Sequence, residues 1–119
     1  MRIYIAAPWT CRAQAADAAQ MFELSGHTIT RRWWTHRDTD EGEELAAQAV
    51  EDVDGIWNAQ ALVVLNVETS EGKAVETGLA LAYMMPVIVV GERTNIFHHL
   101  PAIHVVPTLT EAVDLLNDL

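Results

Sequence analysis

The sequence predicts an α/β fold, a five-stranded parallel sheet with helices on both faces. Two observations predict it. Runs rich in β-branched and aromatic residues alternate with runs of helical period along the chain, which points to right-handed crossovers between parallel strands. One strand-like run, Ala61 to Val67, carries no charge at all, as suits a central position covered on both faces. Five strands in 119 residues imply a flavodoxin-like winding, a three-layer sandwich.

The elements follow in order. RIYIAA (Arg2 to Ala7) is a short strand stopped by Pro8. Thr10 is placed to cap a helix through CRAQAADAAQMFELS, and Gly26 stands where that helix should stop. HTITRRWW (His27 to Trp34) reads as a second strand, followed by the polar loop THRDTDEGE. Gly42 to Gln60 reads as a helix with apolar positions Leu45, Ala49, Val53, Ile56 and Trp57. The third strand leads into the helix SEGKAVETGLALA, ended by Pro86. VIVVG (Val87 to Gly91) and AIHVVP (Ala102 to Pro107) are the last strands, and TLTEAVDLLNDL closes the chain as a capped amphipathic helix. Residues 1–119 therefore read as one domain, without repeats or linker.

Composition narrows the function. Seven basic against seventeen acidic side chains give a net charge of -10. That argues against a nucleic-acid polymer as partner, because such surfaces use Lys and Arg against phosphates. One or two local cations still suffice for a small anion. Half the residues are apolar, yet no apolar stretch approaches the ~18 residues of a membrane span. The N-terminus does not resemble a signal peptide, and the single cysteine, Cys11, cannot form an internal disulfide. A cytoplasmic location is the expectation.

In open parallel sheets ligands lie beyond the carboxyl ends of the strands, near the switch in strand order. AAPWT, WWTHRD, VETSEGK and GERTN are the segments there. Glu76 is the one acid after the first turn of the helix that starts in this crevice, with Ala80 and Tyr83 on its own face. The helix N-terminus favours its ionised form and partial burial opposes it. A carboxylate held charged in a partly dry pocket is a candidate nucleophile. The alternative is an acid placed early in a helix for the dipole alone. Asp52 is a second candidate, although spacing does not separate it from Glu51 and Asp54, which read as solvated.

Other residues carry weaker signals. Trp33 and Trp34 end the second strand, so alternation sends one inward and the other toward a ligand. Lys73, the only lysine, is a solvated charge or a phosphate contact, and Arg93 after the fourth strand reaches a phosphate or a subunit interface. His98, His99 and His104 fit no closed zinc spacing, so no metal is expected. No partner base marks Cys11 as a nucleophile, and neither GxGxxG nor a P-loop sequence occurs.

Three segments together resemble a known family. They are IYIAAPW (Ile3 to Trp9), the D-x-x-G-I-x-x-A pattern of Asp52, Gly55, Ile56 and Ala59, and the S-x-G-x-x-x-E-x-G pattern of Ser70, Gly72, Glu76 and Gly78. In order and spacing they are similar to the nucleoside 2-deoxyribosyltransferases and the related 2'-deoxynucleoside 5'-phosphate N-hydrolases, over residues 2 to 91. The resemblance implies a flavodoxin-like fold and a homo-oligomer with shared active sites. It implies that Glu76 attacks the anomeric carbon of 2-deoxyribose, that Asp52 orients or protonates near that centre, and that Tyr4 contacts the glutamate or sugar. Trp9 would border the base. The transferases commonly carry an acid where this chain has Ser70, whereas the hydrolases place a phosphate-binding serine there. Pro8 replaces another hydrolase serine and favours the transferases. Gly72 and Lys73 share the Ser70 loop, Arg93 is a further candidate for phosphate, and Asn95 is a candidate for reaching a partner's site.

The chemistry fits these residue types. Breaking an N-glycosidic bond builds positive charge on the sugar, which a carboxylate can stabilise and trap as an ester while an acid protonates the leaving base. Retaining glycosidases solve the same problem with two carboxyl groups about 5 Å apart. No metal or organic cofactor is required. Three functions stand: transfer of deoxyribose between bases, hydrolysis of deoxynucleoside 5'-monophosphates, and a non-catalytic nucleotide-binding module.

Overall fold

The first strand lies next to the edge of the sheet, yet carries four consecutive fully buried residues, Ile3, Tyr4, Ile5 and Ala6. The computed structural model describes all 119 residues. Its elements are β1 (Arg2–Ala6), α1 (Arg12–Leu24), β2 (Thr28–Ile29), α2 (Gly42–Trp57), β3 (Ala61–Asn66), α3 (Glu71–Ala82), β4 (Val87–Gly91), β5 (Ile103–Val106) and α4 (Leu109–Asp118). All five strands are parallel, in the order β2-β1-β3-β4-β5. This is the expected flavodoxin-like winding. The order reverses between β1 and β3, which opens the crevice at their carboxyl ends.

Burial explains the strand residues. Ala61 to Leu65 of β3 are all buried, because helices cover both faces of the sheet. The apolar core is one cluster of 25 buried residues spanning the sheet and both helical layers. Leu62 pairs with Tyr4 on one side and with Val87 on the other, which ties the register of the crevice strands. α2 and α3 pack side by side, and the Trp57 and Tyr83 rings meet edge to face at 4.7 Å.

Helix ends are set by local chemistry. α1 stops in a Schellman motif, with His27 N–H donating to Phe22 O, Gly26 N–H to Glu23 O, and Gly26 at φ +92. α3 stops the same way, but the left-handed position is held by Met84 at φ +56. Ser70, Glu41 and Thr108 cap α3, α2 and α4 through their side chains.

Several boundaries differ from expectation. β2 is two residues, and Trp33–Thr35 form a short 3-10 turn that leaves the sheet. Aromatic content suggested a strand, but local β propensity yields to packing of Trp33 beneath the crevice. Thr10 does not cap α1: it lies in a 3-10 turn, Trp9–Cys11, and its hydroxyl donates to Glu68. α2 ends at Trp57 rather than Gln60. Of its five apolar positions, Ile56 is buried, while Leu45, Val53 and Trp57 stay exposed. No helix is long and apolar enough to cross a membrane.

Candidate active site

The crevice between β1, α2 and α3 encloses about 400 Å³ and brings together Tyr4, Trp9, Asp52, Ser70, Gly72, Lys73 and Glu76. Three separate sequence segments meet there because β1 and β3 are neighbours. β1 supplies Tyr4, and the helices that precede and follow β3 supply Asp52 and Glu76. The Tyr4 hydroxyl donates to Glu76 Oε2.

Burial dominates the electrostatics. It pushes the Glu76 carboxyl up to about 7; the Tyr4 hydrogen bond opposes this and the charge of Asp52 adds to it. Glu76 is the sixth residue of α3, beyond the reach of the first-turn dipole. Burial thus works against the charged form that the sequence reading expects, and the Tyr4 hydroxyl works for it. Burial also raises the Asp52 carboxyl, against the hydrogen bond and charge of Arg31. Tyr4 is raised by burial and then by Glu76 and Asp52, so its hydroxyl stays protonated and donates.

Arg31 and Gly55 complete the arrangement. Arg31 Nε lies 3.1 Å from Asp52 Oδ1, and Nη1 lies 2.8 Å from Glu51 Oε2. Glu51 is thus ion-paired rather than simply solvated. A Cβ on residue 55 would stand 2.8 Å from Arg31 Cβ and 3.2 Å from the Tyr4 ring, so only glycine lets both pass beneath α2. The D-x-x-G spacing has a steric reason.

One wall is aromatic. Trp9 and Trp33 line the cavity with centroids 6.2 Å apart, and Trp34 meets Trp33 edge to face at 5.5 Å. Trp33 is both buried and cavity-lining, and its Nε1 donates to Ile5 O at 2.7 Å. The Arg12 guanidinium lies 4.4 Å from the Trp9 ring. Three buried side-chain nitrogens lack a hydrogen-bond partner: Trp9 Nε1, Arg31 Nη2 and His36 Nε2. All three belong to the segments that follow β1 and β2. Arg31 and His36 were not singled out from sequence, because no periodicity or spacing marks them; the run of two arginines before two tryptophans was the one available sign.

The remaining candidates divide. The Ser70 oxygen accepts from Lys73 N–H as the cap of α3, which leaves its hydroxyl proton free. Lys73 is not a solvated charge: its ammonium donates to Asn66 Oδ1 at 2.6 Å and Glu68 O at 2.5 Å, and burial lowers its pKa. Arg93 and Asn95 do not line the Glu76 cleft. Arg93 is exposed after β4. Asn95 lines a second cavity, of about 380 Å³, across α3. It caps the turn Ile96–His99 by accepting from Phe97 and His98 N–H, so its carbonyl is occupied within its own turn. His98 accepts from Thr94 N–H and sits against the Asn95 amide.

No family model and no curated protein matches the sequence. Solved structures do match the fold. A 2-deoxyribosyltransferase from Bacillus psychrosaccharolyticus aligns with TM-score 0.73 and 18% identity over 96% of this chain and 91% of that one. The Clostridium botulinum CMP N-glycosidase BcmB aligns with TM-score 0.61 and 18% identity over the full length of both. At such identity the likeness is one of fold.

Proposed function

We propose that the protein is an enzyme of the deoxyribosyltransferase type, acting as one domain over residues 1–119. It cleaves the N-glycosidic bond of 2'-deoxyribonucleosides and transfers the sugar to a second base. The observation that carries this reading is the meeting of Glu76, Tyr4 and Asp52 in one cleft with an aromatic wall. A transferase and an N-glycosidase share the fold, which supports the same class of reaction.

The steps balance as follows. Ionised Glu76 forms a bond from Oε to C1′ as the C1′–N bond breaks, and Asp52 gives its proton to the leaving base. The incoming base then attacks C1′, Glu76 departs as carboxylate, and the proton returns to Asp52. Tyr4 holds the carboxylate in line and stabilises its charge. Trp9 and Trp33 offer ring faces to the base; base stacking on aromatic side chains is worth ~1–3 kcal/mol.

A second reading has its own support. Ser70, with a free hydroxyl proton, and Lys73 line the cleft at the start of α3, where a 5'-phosphate would be welcome. This favours hydrolysis of a deoxynucleoside 5'-monophosphate through the same glutamate. In either reading the enzyme is a cytoplasmic homo-oligomer with shared active sites. The exposed apolar Val50, Val53 and Trp57 of α2 and Val75 of α3, beside the cleft, support such a contact.

Two incubations test the reading. The first holds a deoxynucleoside and a free second base, the second a deoxynucleoside monophosphate alone. A new nucleoside in the first supports transfer; free base and deoxyribose phosphate only in the second support hydrolysis. Quenched protein should carry a deoxyribosyl adduct on Glu76 by mass spectrometry. Turnover with the adduct on another residue would sink both readings. No turnover, with a nucleotide raising Tm, would leave a binding module.

A further inference from the structure

Asp52 enters the cleft from α2, but the group that grips it comes from the segment after the edge strand β2. Arg31 follows β2, and its Nε meets Asp52 Oδ1 while Nη1 meets Glu51. The two legs are unequal. The Arg31 side chain is 13% exposed and that of Asp52 33%, whereas Glu51 is 59% exposed. Solvent weakens the Glu51 leg, so the sheltered Asp52 leg dominates. The stem has little room to move, because Gly55 leaves space for the Arg31 Cβ and the Tyr4 ring and nothing more. A guanidinium has only donors. An oxygen that accepts from it is a poor place for a proton.

Charged and titratable groups reach Asp52 from several elements. Tyr4 comes from β1, Arg31 and His36 from the segment after β2, Glu76 from α3, and Glu51 from α2 itself. Arg31 is the strongest influence holding the carboxyl down against burial.

We propose that Arg31 is a positioning residue: it locks Asp52 Oδ1 as an acceptor, so that Oδ2 alone carries the proton delivered to the leaving base. The inference rests on the glycosyl-transfer reading of the cleft. It adds a residue that acts through Asp52 without touching substrate.

The test labels Asp carboxyl carbons with 13C and follows the Asp52 titration by NMR, without substrate, in wild type, Arg31→Gln, Arg31→Lys and Glu51→Gln. Kinetics on the same proteins give kcat, KM and the pH profile. In Arg31→Gln the Asp52 titration moves to higher pH, the matching limb of the pH profile moves with it, and kcat falls about 10- to 100-fold with KM held within about threefold. Arg31→Lys restores the titration and brings kcat to within about tenfold of wild type, because a single donor suffices for Oδ1. Glu51→Gln leaves the titration in place. An Asp52 carboxyl that titrates alike in wild type and Arg31→Gln overturns the proposal, and so does a lysine variant no better than glutamine. Should Arg31→Gln fail to fold, Arg31→Lys decides alone, and a loss beyond about tenfold overturns it. A wild-type protein inert toward every deoxynucleoside and deoxynucleoside monophosphate would sink the glycosyl-transfer reading and, with it, the delivery step. The substrate-free titration would still show whether Arg31 governs Asp52.

Discussion

The Tyr4 hydroxyl and the Glu76 carboxylate, 72 residues apart in sequence, share a hydrogen bond within the cleft. Tyr4 is fully buried on β1, so its hydroxyl is delivered by the sheet rather than by a loop. The bond favours the ionised form of Glu76 against burial. Tyr4→Phe should therefore raise the Glu76 carboxyl further and shift the acid limb of the pH–rate profile upward. Activity at neutral pH should fall about 10- to 100-fold, measured as kcat/KM.

Glu76 is also a stability cost. Its folded value, about 7, lies above its ordinary 4.5. Between those values the native state binds more protons than the unfolded chain, so stability falls as pH rises through the window and levels off above it. Glu76→Gln cannot ionise and escapes the penalty. At about 1.4 kcal/mol per unit, the variant should gain on the order of 3 kcal/mol at pH 8 and almost nothing at pH 4. Thermal unfolding at the two pH values checks this, and the same variant should lose several orders of magnitude in rate.

Gly55→Ala should damage structure and site together. The new methyl would press on the Arg31 stem and on the Tyr4 ring, neither of which has a free direction to yield. A loss of about 1–3 kcal/mol is expected by denaturant titration, with a fall in kcat from displaced Tyr4.

Met84→Gly should stabilise. Met84 holds a left-handed backbone at φ +56 and is 91% exposed, so its side chain gives little in return. Glycine relieves the strain for a gain of about 0.5–1 kcal/mol, with activity unchanged.

Lys73→Met keeps the stem and removes the ammonium that joins Asn66 to the Glu68 carbonyl. Loosening the turn before Ser70 should cost about 1–3 kcal/mol, read as a lower midpoint in urea.

Much of the fold was legible because its signals are local. The charge-free β3, the glycine after α1, and the cap of the closing helix α4 each act within a few residues of their own position. Glu76 stood out by its place in α3, and the family resemblance added Tyr4 and Asp52; the fold brings the three into one cleft. What escaped depends on distant partners. Trp33 and Trp34 have high strand propensity, yet Trp33 turns inward to bond Ile5 O. Arg31 becomes part of the site through Asp52, 21 residues on. The proton state of Glu76 follows from burial between β1, α2 and α3, which no window of sequence contains. Asn95 caps its own turn, a role that depends on the Ile96–His99 geometry and not on any sequence motif.

The two-residue edge strand β2 has a consequence for how this chain can diverge. The ladder ends with the Thr30 N–H bond to Ile3 O, so the stretch between Arg31 and the α2 cap Glu41 runs free of the sheet, and its Trp33 lines the cleft. Insertions or exchanges in that stretch can reshape the pocket wall while every other strand keeps its register. Libraries meant to reshape that wall would vary the exposed positions of the stretch and leave Arg31, Trp33 and the α2 cap Glu41 in place.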